Sequence, residues 1–181
     1  MIVNKNLKNK LGLYVHWPFC LSKCPYCDFN SYTISKHNKI EWLNAYLYQL
    51  ETIRELYEIN NFSLTKLTSI FFGGGTPSLM DPKIIEKIID KSLKVFGFNN
   101  DIEITLEANP STIEFKNIKE FKLSGINRLS LGVQSLNDED LIFLGRLHKI
   151  KETREILNIA NKIFNNISVD LIYGLPFQNI K

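Results

Sequence analysis

What is scarce in this sequence narrows its reading before any motif is considered. No apolar run approaches the roughly 18 residues a membrane-crossing helix needs. The opening MIVNKNLKNKLG carries lysines but no following apolar stretch with a small-residue cleavage site, so no secretory signal is expected. Charge of one sign is not in excess: the net charge is +3 over 181 residues, and the lysines are dispersed, which offers no nucleic-acid surface. No Pro/Ser-rich linker, low-complexity tract or short internal repeat divides the chain. With 44% hydrophobic and 23% charged residues it has the composition of one globular domain with its own core, not of a disordered segment. Residues 1–11 read as a tail and residues 12–181 as a single core domain.

Cysteine is rare, and its placement is informative. Cys20, Cys24 and Cys27 are the chain's 3 cysteines, and they stand together as Cys-x3-Cys-x2-Cys. An odd, tight cluster argues against a secreted disulfide framework and makes the reducing cytoplasm the expected location. Thiolates are soft ligands suited to zinc, copper(I) and iron–sulfur clusters. The second CxxC pair of common structural zinc sites is missing, although His16 or His37 could complete a Cys3His site. A cubane cluster held by three cysteines instead leaves one iron without a protein ligand, and an open metal position is what catalysis requires.

Around this cluster, short β-rich runs alternate with helical stretches. GLYVHW (12–17), SIFF (69–72), EITLEA (103–108), RLSLGVQS (128–135) and ISVDLIYGLP (167–176) read as strands. Residues 40–57 place Leu43, Leu47, Leu50, Ile53, Leu56 and Tyr57 at helical spacing. Residues 82–96 form a second amphipathic helix with Asp81 as N-cap and Gly97 as its stop. Residues 112–125 give a third helix, and DEDLIFLG and IKETREILNIANKIF supply further helical material. Strand and helix in strict alternation specify parallel βα units, in an open doubly wound sheet or a barrel-like arrangement. Polar and glycine-rich motifs fall at strand C-terminal ends, where both architectures build their sites. The chain ends five residues after Pro176 with no helix to cover the fifth strand, and the expectation is the front part of a longer protein.

Gly73-Gly74-Gly75-Thr76-Pro77 ends the second strand; no Gly-Lys-Ser/Thr follows, so it is not a phosphate-binding P-loop. Three glycines let a backbone approach a ligand closely, although a plain tight turn is an equally simple explanation. Glu107 and Gln134 end the third and fourth strands, Arg146 follows, and Asp170 lies inside the apolar VDLIYG, where a carboxylate needs a partner. Singly, each has a bland explanation as a cap, a surface ion pair or a satisfied polar group; on successive strands they could line one pocket.

LYVHWPFCLSKCPYCDFNSY resembles the cluster loop of the radical S-adenosylmethionine (SAM) superfamily, and more narrowly that of the anaerobic coproporphyrinogen III oxidases and their relatives, the heme chaperones. The resemblance continues in order through FFGGGTPSLM, EITLEANP, RLSLGVQSLNDEDLIFLGRLH and VDLIYGLP. It implies an α/β fold, a partial (β/α)6 barrel truncated after about five strands. It implies that Cys20, Cys24 and Cys27 hold a [4Fe-4S] cluster whose open iron is chelated by SAM, cleaved on reduction to methionine and a 5′-deoxyadenosyl radical. Tyr14 and Tyr26 would flank cluster and SAM; Gly74, Gly75 and Thr76 would contact the methionine part of SAM; Glu107, Gln134, Arg146 and Asp170 would complete its contacts. The oxidases carry a further cysteine where this chain has Phe29, so the CDF form resembles the chaperone branch. That branch implies heme or a porphyrin as ligand, a recipient hemoprotein, an electron donor, and peripheral membrane association through such a partner. The alternatives are a coproporphyrinogen III oxidase, or an inactive fragment of a split gene. His16 and His148 suit iron, but a satisfied core histidine is the simpler reading of His16.

Overall fold

The computed structural model describes residues 10–33, 38–60, 66–176 and 178–179. In chain order it contains β1 (Leu11–Trp17), β2 (Phe19–Cys20), β3 (Tyr32–Thr33), α1 (Lys39–Ile59), β4 (Leu67–Gly74), a 3-10 turn at Pro77–Leu79, α2 (Pro82–Phe96), β5 (Phe98–Ala108), α3 (Thr112–Phe115), α4 (Ile118–Leu123), β6 (Arg128–Gln134), α5 (Asp138–Phe143), α6 (Ile150–Ala160) and β7 (Ile167–Leu171). Five strands form one sheet in the order β1-β4-β5-β6-β7, every neighbouring pair parallel. The order follows the chain without reversal, which decides between the two architectures the sequence allows. A doubly wound sheet reverses at a switch point; a sequential order with right-handed crossovers keeps all helices on one face, as in a barrel wall.

Period-two alternation sorts the residues between the two faces. Val15 and Trp17 of β1, Ile70 and Phe72 of β4, Ile104 and Leu106 of β5, and Leu129, Leu131 and Val133 of β6 are buried in one core. The helices complete it with Leu43, Leu50, Ile84, Ile85, Ile88, Ile89, Phe121 and Ile156. The alternate positions, Tyr14 and His16, Thr105 and Glu107, Arg128, Ser130 and Gln134, Ser168 and Asp170, turn to the other face. They are cross-linked: Arg128 donates to Thr105 Oγ1 at 3.2 Å and to Ser168 Oγ at 2.8 Å, and the Ser130 and Ser168 hydroxyls meet at 3.0 Å.

Several elements differ from the sequence expectation. The segment 112–125 is two short helices, broken at Asn117, whose ψ of 19° is non-helical and which stands at the N-cap position of the second without a side-chain capping bond. β7 stops at Leu171, and Tyr173 beyond it is 92% exposed, so the expected strand to residue 176 is half as long. The two-residue pair β2–β3 has no counterpart in the sequence expectation, since two residues carry no period. Among the described residues, no helix is long and apolar enough to cross a membrane.

The ends of α2 follow the capping chemistry read from the sequence. Asp81 accepts from the Lys83 N–H at 3.1 Å, Pro82 opens the helix, and Gly97, with φ 67°, closes it by donating to Leu93 O at 2.9 Å. Asp81→Ala is expected to lose about 1 kcal/mol of stability, a fall in Tm of roughly 2–4 °C. An unchanged melting curve would show that the cap is replaced by water.

Candidate functional site

The loop bearing the thiols is held at both ends. β2 and β3 pair across it, the Tyr32 N–H donates to Pro18 O at 2.7 Å, and a turn inside it is closed by Cys27 N–H to Cys24 O at 3.1 Å. The end of β4 fixes it from the other side: Gly75 N–H donates to Trp17 O at 2.6 Å and Thr76 N–H to Phe19 O at 2.9 Å. The glycines serve this contact. A Cβ on Gly74 would lie 2.6 Å from the His16 ring at a φ of +110°, and one on Gly75 would lie 2.8 Å from Phe19 O. The space these glycines leave open is therefore filled by the chain itself, which favours the tight-turn explanation of their bareness.

One pocket gathers residues from the cysteine loop and four strand ends. Cys20, Cys24, Cys27, Tyr26, Gly74, Gly75, Thr76, Glu107, Gln134, Arg146 and Asp170 all line it. Tyr14 does not; its ring stacks on Phe71 and its hydroxyl lies 3.5 Å from His16 Nδ1. Gln134 has φ +69°, a left-handed conformation that is costly for a residue with a Cβ, and it sits where the β6–β7 register shifts. Asp170 is exposed, and its partner is the Ser130 hydroxyl at 3.3 Å. That hydroxyl is the partner the sequence reading asks for, although Val169 and Leu171 beside Asp170 are 45% and 55% exposed.

Arg146 is the hub of the pocket wall. Its Nη1 donates to Cys24 Sγ at 3.4 Å and to Tyr26 Oη at 3.3 Å; its Nη2 donates to Gly132 O at 3.0 Å and to Asn109 Oδ1. Its Nε is buried without a partner among the described residues. The Tyr26 phenol is pushed up to about 12, first by burial, with Arg146 opposing and Cys24 adding to the rise. It therefore stays a protonated phenol. His16 Nε2 meets Asn30 O at 2.9 Å and the buried His148 Nε2 meets Val133 O at 3.3 Å, so both imidazoles are engaged by main chain. His37 lies outside the described residues.

All three cysteines are free thiols, and a cubane takes each thiolate on a different iron. Three separate thiols on one wall, with a guanidinium N–H beside Cys24 Sγ to stabilise negative sulfur, fit that group.

Sequence reasoning misses Asn109, Ser130 and Gly132, which also line the pocket, and Glu114 behind it. Ser130 and Gly132 carry a signal: Arg128, Ser130, Gly132 and Gln134 recur at period two. Asn109 reads in the sequence only as a strand stop before Pro110.

Glu107 accepts from the Gly74 N–H at 3.2 Å. Burial holds its carboxyl above the ordinary value of 4.5; the Gly74 N–H opposes the rise, Asp170 adds to it and His16 opposes it. A carboxyl raised in the folded state contributes stability that is fully present below its unfolded value and is lost as pH rises through the folded one. Unfolding free energy is expected to carry a downward slope above pH 4.5 that Glu107→Gln reduces. Denaturant titrations at stepped pH give this directly, and an identical slope in the variant would mean that the carboxyl is solvated.

The comparisons with known proteins agree with this geometry. The family model described as "Radical SAM superfamily" matches residues 14–181. The heme chaperone HemW of Haemophilus influenzae is 40% identical over 176 residues, covering 94% of this chain and 45% of the relative. The mitochondrial radical S-adenosyl methionine domain-containing protein 1 of Danio rerio is 38% identical over 170 residues, 93% of this chain and 37% of the relative. The solved structure of Escherichia coli coproporphyrinogen III oxidase (HemN), a radical SAM enzyme by its own description, superposes with a TM-score of 0.79 at 32% identity, over 92% of this chain and 38% of that one. The chain thus spans less than half the length of these relatives. A match running from β1 to the last residue, on a five-stranded parallel sheet with three free thiols at its strand-end pocket, makes this chain a member of the radical SAM superfamily, whose general cofactors are a [4Fe-4S] cluster and SAM.

Proposed function

We propose that the chain is the cluster- and SAM-binding core of a cytoplasmic heme chaperone. The observation that carries the reading is the shared pocket: three thiols, a guanidinium and two carboxylates on one wall of strand ends. Cys20, Cys24 and Cys27 would hold three irons of the cluster. Arg146 would pair with the carboxylate of SAM, and Glu107 with its ammonium group or ribose hydroxyls. Gly74, Gly75 and Thr76 would contact the methionine part, and Gln134 and Asp170 the remainder. Tyr26 would lie against both groups as a neutral phenol, and Tyr14 would back the glycine run beside Glu107. Cluster and SAM together supply, when bound, the one-electron cleavage of the sulfonium. The chain's own part is to hold charges of both signs in fixed places, so that a zwitterion binds in one orientation. Residues 12–181 would form this core and residues 1–11 a tail.

The chaperone assignment rests on the HemW relatives and on Phe29, which lines the pocket mouth at 60% exposure where the oxidases would present another cysteine. Heme would be the cargo, a hemoprotein its recipient, and a separate donor the source of electrons. The superposition on HemN favours one second reading, oxidative decarboxylation of coproporphyrinogen III. Heme binding without porphyrinogen turnover supports the first; turnover supports the second.

Electron paramagnetic resonance of the anaerobically reconstituted, reduced chain is expected to give a cubane signal that shifts when SAM is added. A signal indifferent to SAM would remove the proposed pocket, and no cluster would favour an inactive chain. Cys24→Ala is expected to abolish cluster assembly, read as iron and sulfide content. Glu107→Ala is expected to weaken SAM binding about tenfold or more while leaving the cluster intact, the effect of losing a charge-assisted partner; unchanged affinity would take Glu107 out of the site.

A further inference from the structure

Glu114 is the buried acid among the described residues, 4% exposed, and it does not line the cysteine pocket. It stands behind that pocket, on the wall of a second cavity shared with Cys24, Asn109, Arg146 and His148. Its two oxygens accept from three donors: the Asn109 main-chain N–H at 2.7 Å, the Asn109 side-chain Nδ2 at 3.1 Å and the Ser78 hydroxyl. Asn109 Nδ2 also points at Thr76 Oγ1, 3.4 Å away, while Asn109 Oδ1 accepts from Arg146 Nη2.

A side-chain amide has one donating and one accepting end, so its orientation depends on its neighbours. Here the neighbours leave no choice. In its ionised form the Glu114 oxygen facing Asn109 only accepts, and Arg146 only donates. The reversed amide would set oxygen against oxygen at one end and N–H against N–H at the other.

We propose that Glu114 is a positioning residue: its acceptor oxygens fix the orientation of the Asn109 amide, and the oxygen of Asn109 then aims the Arg146 guanidinium at Cys24 Sγ and Tyr26 Oη. The consequence for SAM rests on the pocket assigned above; the ordering of Arg146 does not. Glu114→Gln is nearly isosteric but breaks the pattern. The Asn109 main-chain N–H and Ser78 claim its single oxygen, which turns its NH2 toward Asn109 Nδ2. Asn109 must then give up a bond or reverse against Arg146. Adding Asn109→Asp restores complementarity with the charge conserved. The amide introduced by Glu114→Gln donates to one oxygen of the new carboxylate, and the other oxygen of that carboxylate accepts from Arg146.

The test is a double-mutant cycle on the full chain, read in two ways. In the metal-free protein, the nitrogen-15 resonances of the Arg146 guanidinium are expected to show hindered rotation in the wild type, faster rotation in Glu114→Gln, where Gly132 O, Cys24 and Tyr26 still hold it, and wild-type rotation again in Glu114→Gln/Asn109→Asp. Ser78→Ala, which removes a bond to the same carboxylate without touching the amide, is expected to lower thermal stability and leave Arg146 unchanged. In the reconstituted protein, SAM should bind about tenfold more weakly to Glu114→Gln. Unchanged Arg146 signals in Glu114→Gln, or no recovery in the double variant, would overturn the proposal. A wild-type chain that holds a cluster and ignores SAM would overturn the cofactor reading, while the resonance comparison still decides the role of Glu114.

Discussion

The site depends on how closely the end of β4 approaches the end of β1. Two main-chain hydrogen bonds, Gly75 to Trp17 and Thr76 to Phe19, extend the parallel ladder past the end of the strands and into the loops. That approach leaves no room for a Cβ at Gly74 or Gly75. Beneath it, Trp17, Phe19 and Trp42 pack edge to face, and the Tyr46 hydroxyl donates to His16 O at 2.6 Å. The cysteine loop therefore leaves a rigid base, with Cys20 already inside β2. A loop rich in polar residues would otherwise be mobile; here its ends are tied by main-chain hydrogen bonds beside this aromatic cluster.

The same sheet separates two environments by alternation alone. Each residue that feeds the apolar core is followed by one that faces the pocket, so stability and chemistry are written on one strand without conflict. On the pocket face the polar groups satisfy one another across strands, as Arg128 does with Thr105 and Ser168. A polar face of this kind is tolerable only where it opens on water or a polar ligand.

Much of this is legible in the sequence because it depends on local chemistry. Asp81, Pro82 and Gly97 bound α2 where capping rules place them, and the alternation of β6 reads directly. The three cysteines and the strand-end residues on either side of Glu107 meet in one pocket because sequential parallel strands bring their C-terminal ends together. What is illegible depends on tertiary placement. The glycine run reads equally as ligand clearance or a tight turn, and only the fold shows Tyr14, His16 and Phe19 against it. Asp170 looks buried because its neighbours are apolar, yet the position of β7 at the end of the strand order leaves all three exposed. Asn109 and Glu114 are five residues apart across a Pro-Ser turn, and no periodicity links them.

Glu107 and Glu114 show how far a shifted acidity goes toward assigning a duty. Burial raises the carboxyl of each. By that measure they are alike, and a search for perturbed acids would select both. Their hydrogen bonds separate them. A carboxylate has about four acceptor positions. Glu114 receives three donors from its own chain and does not line the cysteine pocket, so its remaining capacity is small. Glu107 receives one main-chain N–H and lines the pocket, so most of its capacity points at whatever enters. A cationic group arriving there gains acceptors that the protein has already desolvated but not filled. In the proposed site one acid holds the wall and the other meets the ligand, and the count of unfilled acceptors, rather than the direction of the shift, tells them apart.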